Sequence, residues 1–279
     1  MLRIRKMHID EISFALEQTK NEGWTDIYDD WYAFITYNPN AAFVAEINNH
    51  LVGMVSAVAY DKFGFIGGLI VTNQHRGNGI GTHLMSFAIS YLEKLKVPLI
   101  MLDGVADAVP LYESLGFQVF CKSLRFKTKI EGHRSCNVRQ MEKEDQSIVY
   151  SLDYSAFNAN RTHFLQNIFE NFPELCLVAE RNKEIVGYAM GSKRANVVRL
   201  GPIVCSEKSE LVIDLLKHFG SLVREKVRVG VLETNRQAIS ILESVGFNLS
   251  SYSFRMGRGD HTYFSDSPFQ YAIGSPAKG

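Results

Sequence analysis

Val71-Thr72-Asn73-Gln74-His75-Arg76-Gly77-Asn78-Gly79-Ile80-Gly81-Thr82 joins an apolar run over residues 63–71 to an amphipathic run over 80–95. In the second run Ile80, Leu84, Phe87, Ala88, Tyr91, Leu92 and Leu95 fall at i, i+4, i+7, i+8, i+11, i+12 and i+15, which is one helical face. The first run reads as a strand, with Gly64, Gly67 and Gly68 marking a bulge or a close backbone approach. Glycines between a strand and a helix let successive N–H groups turn toward an anion, and the helix N-terminus adds its dipole. On its own the stretch is either such a phosphate cradle or only a tight strand-to-helix turn. It is not a Walker loop, because no Gly-Lys-Ser/Thr follows. A dinucleotide fingerprint would follow the first strand of a parallel sheet, whereas this loop follows the fourth strand of a largely antiparallel run.

Working outward, residues 2–5 read as a strand, and 9–22 and 29–37 as helices, the second ended by Asn38-Pro39-Asn40. Residues 42–47 and 51–60 read as strands joined through Asn48-Asn49-His50, a hairpin signal. Beyond the amphipathic helix come a strand at 98–103, a short helix at 109–115 and a strand at 117–128.

The same order then recurs. Ala108, Glu113, Ser114, Gly116 and Phe117 match Ala238, Glu243, Ser244, Gly246 and Phe247 at an offset of 130. Upstream, Val44-Ala45-Glu46 matches Val178-Ala179-Glu180, and Arg5 and Met7 match Arg139 and Met141, at an offset of 134. Matching blocks in one order imply two copies of one domain, over residues 1–129 and 135–279, joined by a polar link at 130–135. In the second copy, strands are expected at 136–139, 175–180, 185–193, 197–204, 227–233 and 247–256. Helices are expected at 145–157, 162–171, 207–224 and 238–245, and the tail after Gly257 as extended packing or loop.

Arg76-x-x-Gly79-x-Gly81 after the fourth strand, with Leu111-Tyr112-Glu113-Ser114-Leu115-Gly116-Phe117 after the fifth, resembles the GNAT superfamily of N-acetyltransferases. The first copy resembles it over its full length. Asn21-Glu22-Gly23-Trp24, Leu102-Asp103-Gly104 and Tyr271-Ala272-Ile273 resemble a bacterial tandem group with a specialised C-terminal GNAT-like domain. The resemblance implies an α/β (α+β) fold of two tandem domains, each a mixed, largely antiparallel twisted sheet flanked by helices. It implies acetyl-CoA as co-substrate, its pyrophosphate on Arg76, Gly77, Asn78, Gly79, Ile80, Gly81 and Thr82, and its pantetheine arm beside Leu69, Ile70 and Val71. The second copy lacks the loop. Cys205-Ser206-Glu207-Lys208-Ser209-Glu210 has no glycine and puts two carboxylates where an anion would sit. The cofactor is therefore expected in the first copy.

Acetyl transfer to an amine needs a neutral amine, a donor for the carbonyl oxygen and a proton for the leaving thiolate. By resemblance the backbone at 69–71 supplies the donor. Tyr112 is either the proton donor, since its reference pKa of about 10 is close to that of a thiol, or a ring packed on the pantetheine. The fourth strand carries no carboxylate, so Asp103 is the first choice of base, with a loop-capping role as the alternative and a water-relayed base also open. Glu46 and Glu180 recur in both copies and read as strand features. His50 and His75 fall on turns. Trp24, Tyr28, Trp31, Tyr32 and Phe34 form an aromatic cluster, and Trp24 is either an acceptor wall or core.

Thirty Lys and Arg balance thirty Asp and Glu, and neither half departs from neutrality by more than one charge when the chain is split after residue 130. A nucleic-acid partner is therefore not expected. Cys121, Cys136, Cys176 and Cys205 show no metal-ligand spacing and read as buried thiols in a reducing compartment. No apolar run is long enough for a bilayer span and the N-terminus lacks a signal-peptide core, so the expectation is a cytoplasmic protein without metal or membrane partner. The leading reading is an N-acetyltransferase acting on a small-molecule amine or peptide acceptor by direct transfer. The competing readings are a non-catalytic acyl-CoA sensor and an aminoacyltransferase on charged RNA.

Overall fold

The apolar alternation of the first repeat gives β1 (Leu2–Lys6), then α1 (Ile12–Asn21), α2 (Tyr28–Thr36), β2 (Ala42–Ile47), β3 (His50–Ala59), β4 (Gly64–Val71), α3 (Ile80–Lys94), β5 (Leu99–Gly104), α4 (Val109–Ser114) and β6 (Gln118–Thr128). The second repeat gives β7 (Val138–Gln140), α5 (Gln146–Phe157), α6 (Thr162–Asn171), β8 (Cys176–Arg181), β9 (Glu184–Lys193), β10 (Val198–Cys205), α7 (Ser209–Leu222), β11 (Val227–Leu232), α8 (Arg236–Ser244) and β12 (Asn248–Gly259). A short β13 (Gln270–Ala272) follows in the tail, where the sequence suggested only extended packing or loop. The computed structural model describes residues 1–207 and 209–279; Lys208, inside the helix expected over 207–224, lies outside the described residues.

The repeat is visible in side-chain detail as well as in element order. Asn48 and Asn49 turn the β2–β3 hairpin with φ of 51° and 64°, and Asn182 and Lys183 turn β8–β9 with 52° and 69°. Left-handed backbone at both turn positions matches the twist of the flanking strands. Arg5 bridges Glu46 (2.9 Å) and Glu11 (2.6 Å), while Arg139 bridges Glu180 (2.7 Å) and Asp145 (2.6 Å). Arg5 and Arg139 thus tie the first strand of each repeat both to its second strand and to the turn before its first long helix.

Two units result. Unit 1 holds Met1–Phe120, Met256–Tyr263 and Ala277–Gly279, and unit 2 holds Cys121–Arg255 and Phe264–Pro276. In unit 1, β1 to β4 pair antiparallel in sequence order, β4 runs parallel to β5, and the end of β12 lies beside β5. The α3 side chains Leu84 and Leu92 cover one face at Gly53 and Gly64, and Trp31 of α2 covers the other at Gly68. Ile80, Leu84, Ala88 and Leu92 are buried as the periodicity requires; Leu95, the C-cap, is exposed because the helix ends there. In unit 2, β7 to β10 are antiparallel, β10 is parallel to β11, and β11 pairs antiparallel with β6. One core layer there includes Leu177, Leu200, Leu215, Phe219 and Val229. The other includes Val149, Ala156, Leu165 and Met190.

Candidate active site

The pairing of β4 with β5 stops at Ile66↔Leu102. From Gly67 onward the strands part, so β4 backbone groups directed toward β5 have no partner strand there. Register with β3 also shifts between Met54↔Ile70 and Ser56↔Gly67, which places the expected bulge around Gly68 (φ +59°). The opening is a cleft of about 550 Å³, the size of a ligand site.

Leu69, Ile70, Val71, Arg76, Gly77, Gly79, Ile80 and Gly81 all line this cleft, as do Trp24, Asp103 and Tyr112. Two expected residues do not line it. Asn78 instead braces the loop through Nδ2 to the carbonyls of His75 (3.3 Å) and Arg76 (3.4 Å), and Thr82 points to solvent. Gly77 and Gly79 have φ of 78° and 75°, a region costly for any residue with a Cβ. Gly79 is the N-cap of α3 and no side chain caps it. The amides of the first helical turn therefore have no intrahelical acceptor and face outward as anion donors.

Arg76 does more than wait for an anion. Its Nε donates to the Val71 carbonyl at 3.0 Å and its guanidinium pairs with Glu22. Glu22, His75, Asp107 and Leu111 also line the cleft and were not singled out as site residues. Glu22 belongs to the Asn21-Glu22-Gly23-Trp24 match, and its approach to Arg76 depends on how α1 ends.

Tyr112 is 7% exposed, and burial pushes its hydroxyl up to about 12. The near match with a thiol that the reference value suggested is thus not what the fold supplies. Burial thus favours the protonated hydroxyl. Asp103 is half-buried on the cleft wall. Of the aromatic cluster only Trp24 reaches the cleft; Trp31 and Phe34 are core, and Tyr28 and Tyr32 stack on each other at the surface.

Unit 2 has the matching fork, and it is filled. Pairing of β10 with β11 runs from Val198↔Val227 to Leu200↔Val229, after which β13 inserts. It pairs with β10 at Ile203↔Ala272 and Val204↔Gln270, and Ile273 N–H donates to Gly230 of β11 at 2.9 Å. A Cβ on Gly201 would stand 2.2 Å from the Ile273 carbonyl oxygen. Asn235 caps α8 through Ala238 N–H (2.9 Å) and gives its amide to the Gln270 carbonyl (3.1 Å). The two carboxylates expected to repel an anion are a smaller obstacle than this, because Glu207 is paired with Arg181.

Cys121, Cys176 and Cys205 are buried, but Cys136 is exposed, contrary to expectation, because the strand expected from residue 136 begins at Val138 and leaves it in the preceding turn. Among the described residues no group of His, Cys, Asp and Glu is placed to hold a metal ion, and no helix is long and apolar enough to cross a membrane.

Comparison with known proteins matches residues 7–117 to the acetyltransferase (GNAT) family and residues 149–272 to a second acetyltransferase (GNAT) domain. The chain is 18% identical over 250 residues to the uncharacterized N-acetyltransferase YitH of Bacillus subtilis (strain 168), covering 87% of this chain and 86% of that protein. The fold is similar to that of a putative acetyltransferase from Pyrococcus horikoshii (TM-score 0.85, 18% identity, 100% of this chain and 96% of that one). It is also similar to a tandem GNAT protein from the clavulanic acid biosynthesis pathway (TM-score 0.65, 13% identity, 96% and 100%).

Proposed function

The chain belongs to the GNAT acetyltransferase family and is an acyltransferase, and on that premise we propose that it moves the acetyl group of acetyl-CoA directly to an amine acceptor, with the cofactor in the cleft of unit 1. The observation that carries this reading is the contrast between the two forks. The one in unit 1 is open between β4 and β5, and the one in unit 2 is filled by β13. The cofactor fits the first on chemical grounds. Left-handed glycines and uncapped α3 amides suit a pyrophosphate, and parted strands suit an extended arm that seeks backbone partners.

When bound, acetyl-CoA supplies an activated thioester. The chain's part is to orient and to manage protons. Ile80 and Gly81 amides and the Arg76 side chain hold the phosphates, with Glu22 fixing the arginine. Leu69 to Val71 offer backbone N–H groups to a carbonyl oxygen. Tyr112 holds a proton at its hydroxyl oxygen, ready for the sulfur. Asp103 takes the proton from the acceptor ammonium, and Trp24 lines the acceptor's approach.

Gly79→Val tests the assignment. A β-branched residue resists φ near 75° and would push the loop away from the phosphates. Calorimetric affinity for acetyl-CoA should fall at least tenfold, about 1.4 kcal/mol, from a wild type that binds one equivalent per chain. Unchanged affinity in a folded variant removes the loop from the site, and two equivalents per chain remove the distinction between the units. An amine-library screen that follows free CoA release identifies the acceptor.

A further inference from the structure

Ala277, Lys278 and Gly279 belong to unit 1 and lie on the face of β4 that α2 covers. A Cβ on Gly67, where the cleft begins, would stand 2.7 Å from both Cα and the carbonyl oxygen of Ala277. Lys278 Nζ donates to Asp30 Oδ1 at 3.0 Å and sits 5.0 Å from the centroid of the Phe34 ring. The Tyr60 hydroxyl donates to the Lys278 carbonyl at 2.7 Å. Asp30, Phe34 and Tyr60 are 7%, 2% and 3% exposed, so this is a built enclosure and not a surface encounter.

Its chemistry is selective. A carboxylate beside an aromatic face recognises a compact ammonium, and a phenol hydroxyl donates to a carbonyl. In the same unit two buried polar atoms have no hydrogen-bond partner among the described residues: Trp31 Nε1 and Ser56 Oγ. Nearest the position of a Gly68 Cβ stand Trp31 Cη2 at 2.9 Å and Ser56 Oγ at 3.7 Å. Buried polar groups are normally satisfied. An indole N–H and a hydroxyl left in this way each call for a polar partner.

We propose that Asp30, Phe34 and Tyr60 form an acceptor subsite for an aliphatic primary ammonium that also carries a carbonyl group, and that the chain's own Ala277-Lys278-Gly279 fills it as a pseudosubstrate. The inference rests on the cleft of unit 1 being the transfer site. Lysine-like acceptors enter when the segment leaves.

The test is calorimetric and uses no acetyl-CoA, so its failure is distinct from failure of the Gly79→Val experiment. The full chain and a chain ending at Pro276 are titrated with the tripeptide Ala-Lys-Gly and with its norleucine counterpart. The shortened chain should bind the lysine peptide at least tenfold more tightly than the full chain does, and at least tenfold more tightly than it binds the norleucine peptide. Asp30→Asn in the shortened chain should erase that preference. Equal binding by both chains, or no preference for lysine, overturns the proposal. If the shortened chain does not fold, Lys278→Glu in the full chain sets a carboxylate against Asp30 and must give the same gain. A folded Lys278→Glu without gain, or loss of fold in both variants, makes the segment a structural staple and overturns it as well.

Discussion

Tyr112→Phe lowers kcat about 10²–10⁴-fold and leaves acetyl-CoA affinity nearly unchanged, the range typical of a lost general acid. The ring fills its site against Phe117, at a centroid distance of 6.3 Å, and phenylalanine keeps that packing. The hydroxyl makes no hydrogen bond to another described residue, so its removal orphans no protein group. Because burial pushes the hydroxyl up to about 12, the group keeps its proton as pH rises. The wild-type kcat profile should rise as the acceptor ammonium deprotonates and show no falling limb from Tyr112 below about pH 12. The variant should keep the shape of that profile at reduced height. A drop in affinity at constant kcat would assign the hydroxyl to cofactor positioning. No change in either quantity would leave Tyr112 as packing.

Arg161→Met costs about 3–5 kcal/mol of stability, the range for breaking a buried ion pair by removing one partner. Arg161 and Asp153 are both 2% exposed in their side chains, and the guanidinium binds the carboxylate through Nε (3.0 Å) and Nη2 (2.7 Å). It also lies 3.8 Å from the centre of the Phe157 ring, and the Tyr188 hydroxyl donates to Asp153 Oδ1 as well. Methionine replaces the stem but leaves a buried carboxylate facing an apolar ring. Replacing all three polar members at once, as Arg161→Met, Asp153→Leu and Tyr188→Phe, should recover most of the loss, since no charge is then stranded. Urea unfolding followed by a probe in unit 2 measures both. A single-variant loss under about 1 kcal/mol would mean that water reaches Asp153.

Arg161 and Asp153 drew no attention as sequence because nothing local distinguishes a buried charge from a solvated one. The ion pair requires α5 and α6 to face each other across Tyr188 of β9. The same holds for Glu22 and Arg76, which are 54 residues apart. Tyr112 was legible as a candidate proton donor, but the upward shift of its hydroxyl was not, since it comes from burial. The aromatic cluster shows the limit in reverse: five rings at helical spacing were one feature in the sequence, and only Trp24 reached the cleft.

What the sequence determined by itself was the repeat, the order of strands and helices, and the glycine loop. These are carried by period-2 and period-3.6 alternation and by the few residues that tolerate left-handed backbone, all of which act within a dozen neighbours. The tertiary structure alone decided which distant segment completes which sheet. Residues 121–128 pair with β11 in unit 2, and 256–259 lie beside β5 in unit 1. It also decided that β13 fills the fork between β10 and β11 while the fork between β4 and β5 stays open. An unpaired strand edge accepts any segment that offers N–H and C=O groups at the right spacing, so a tail with no periodicity of its own gives no sign in sequence of where it will dock.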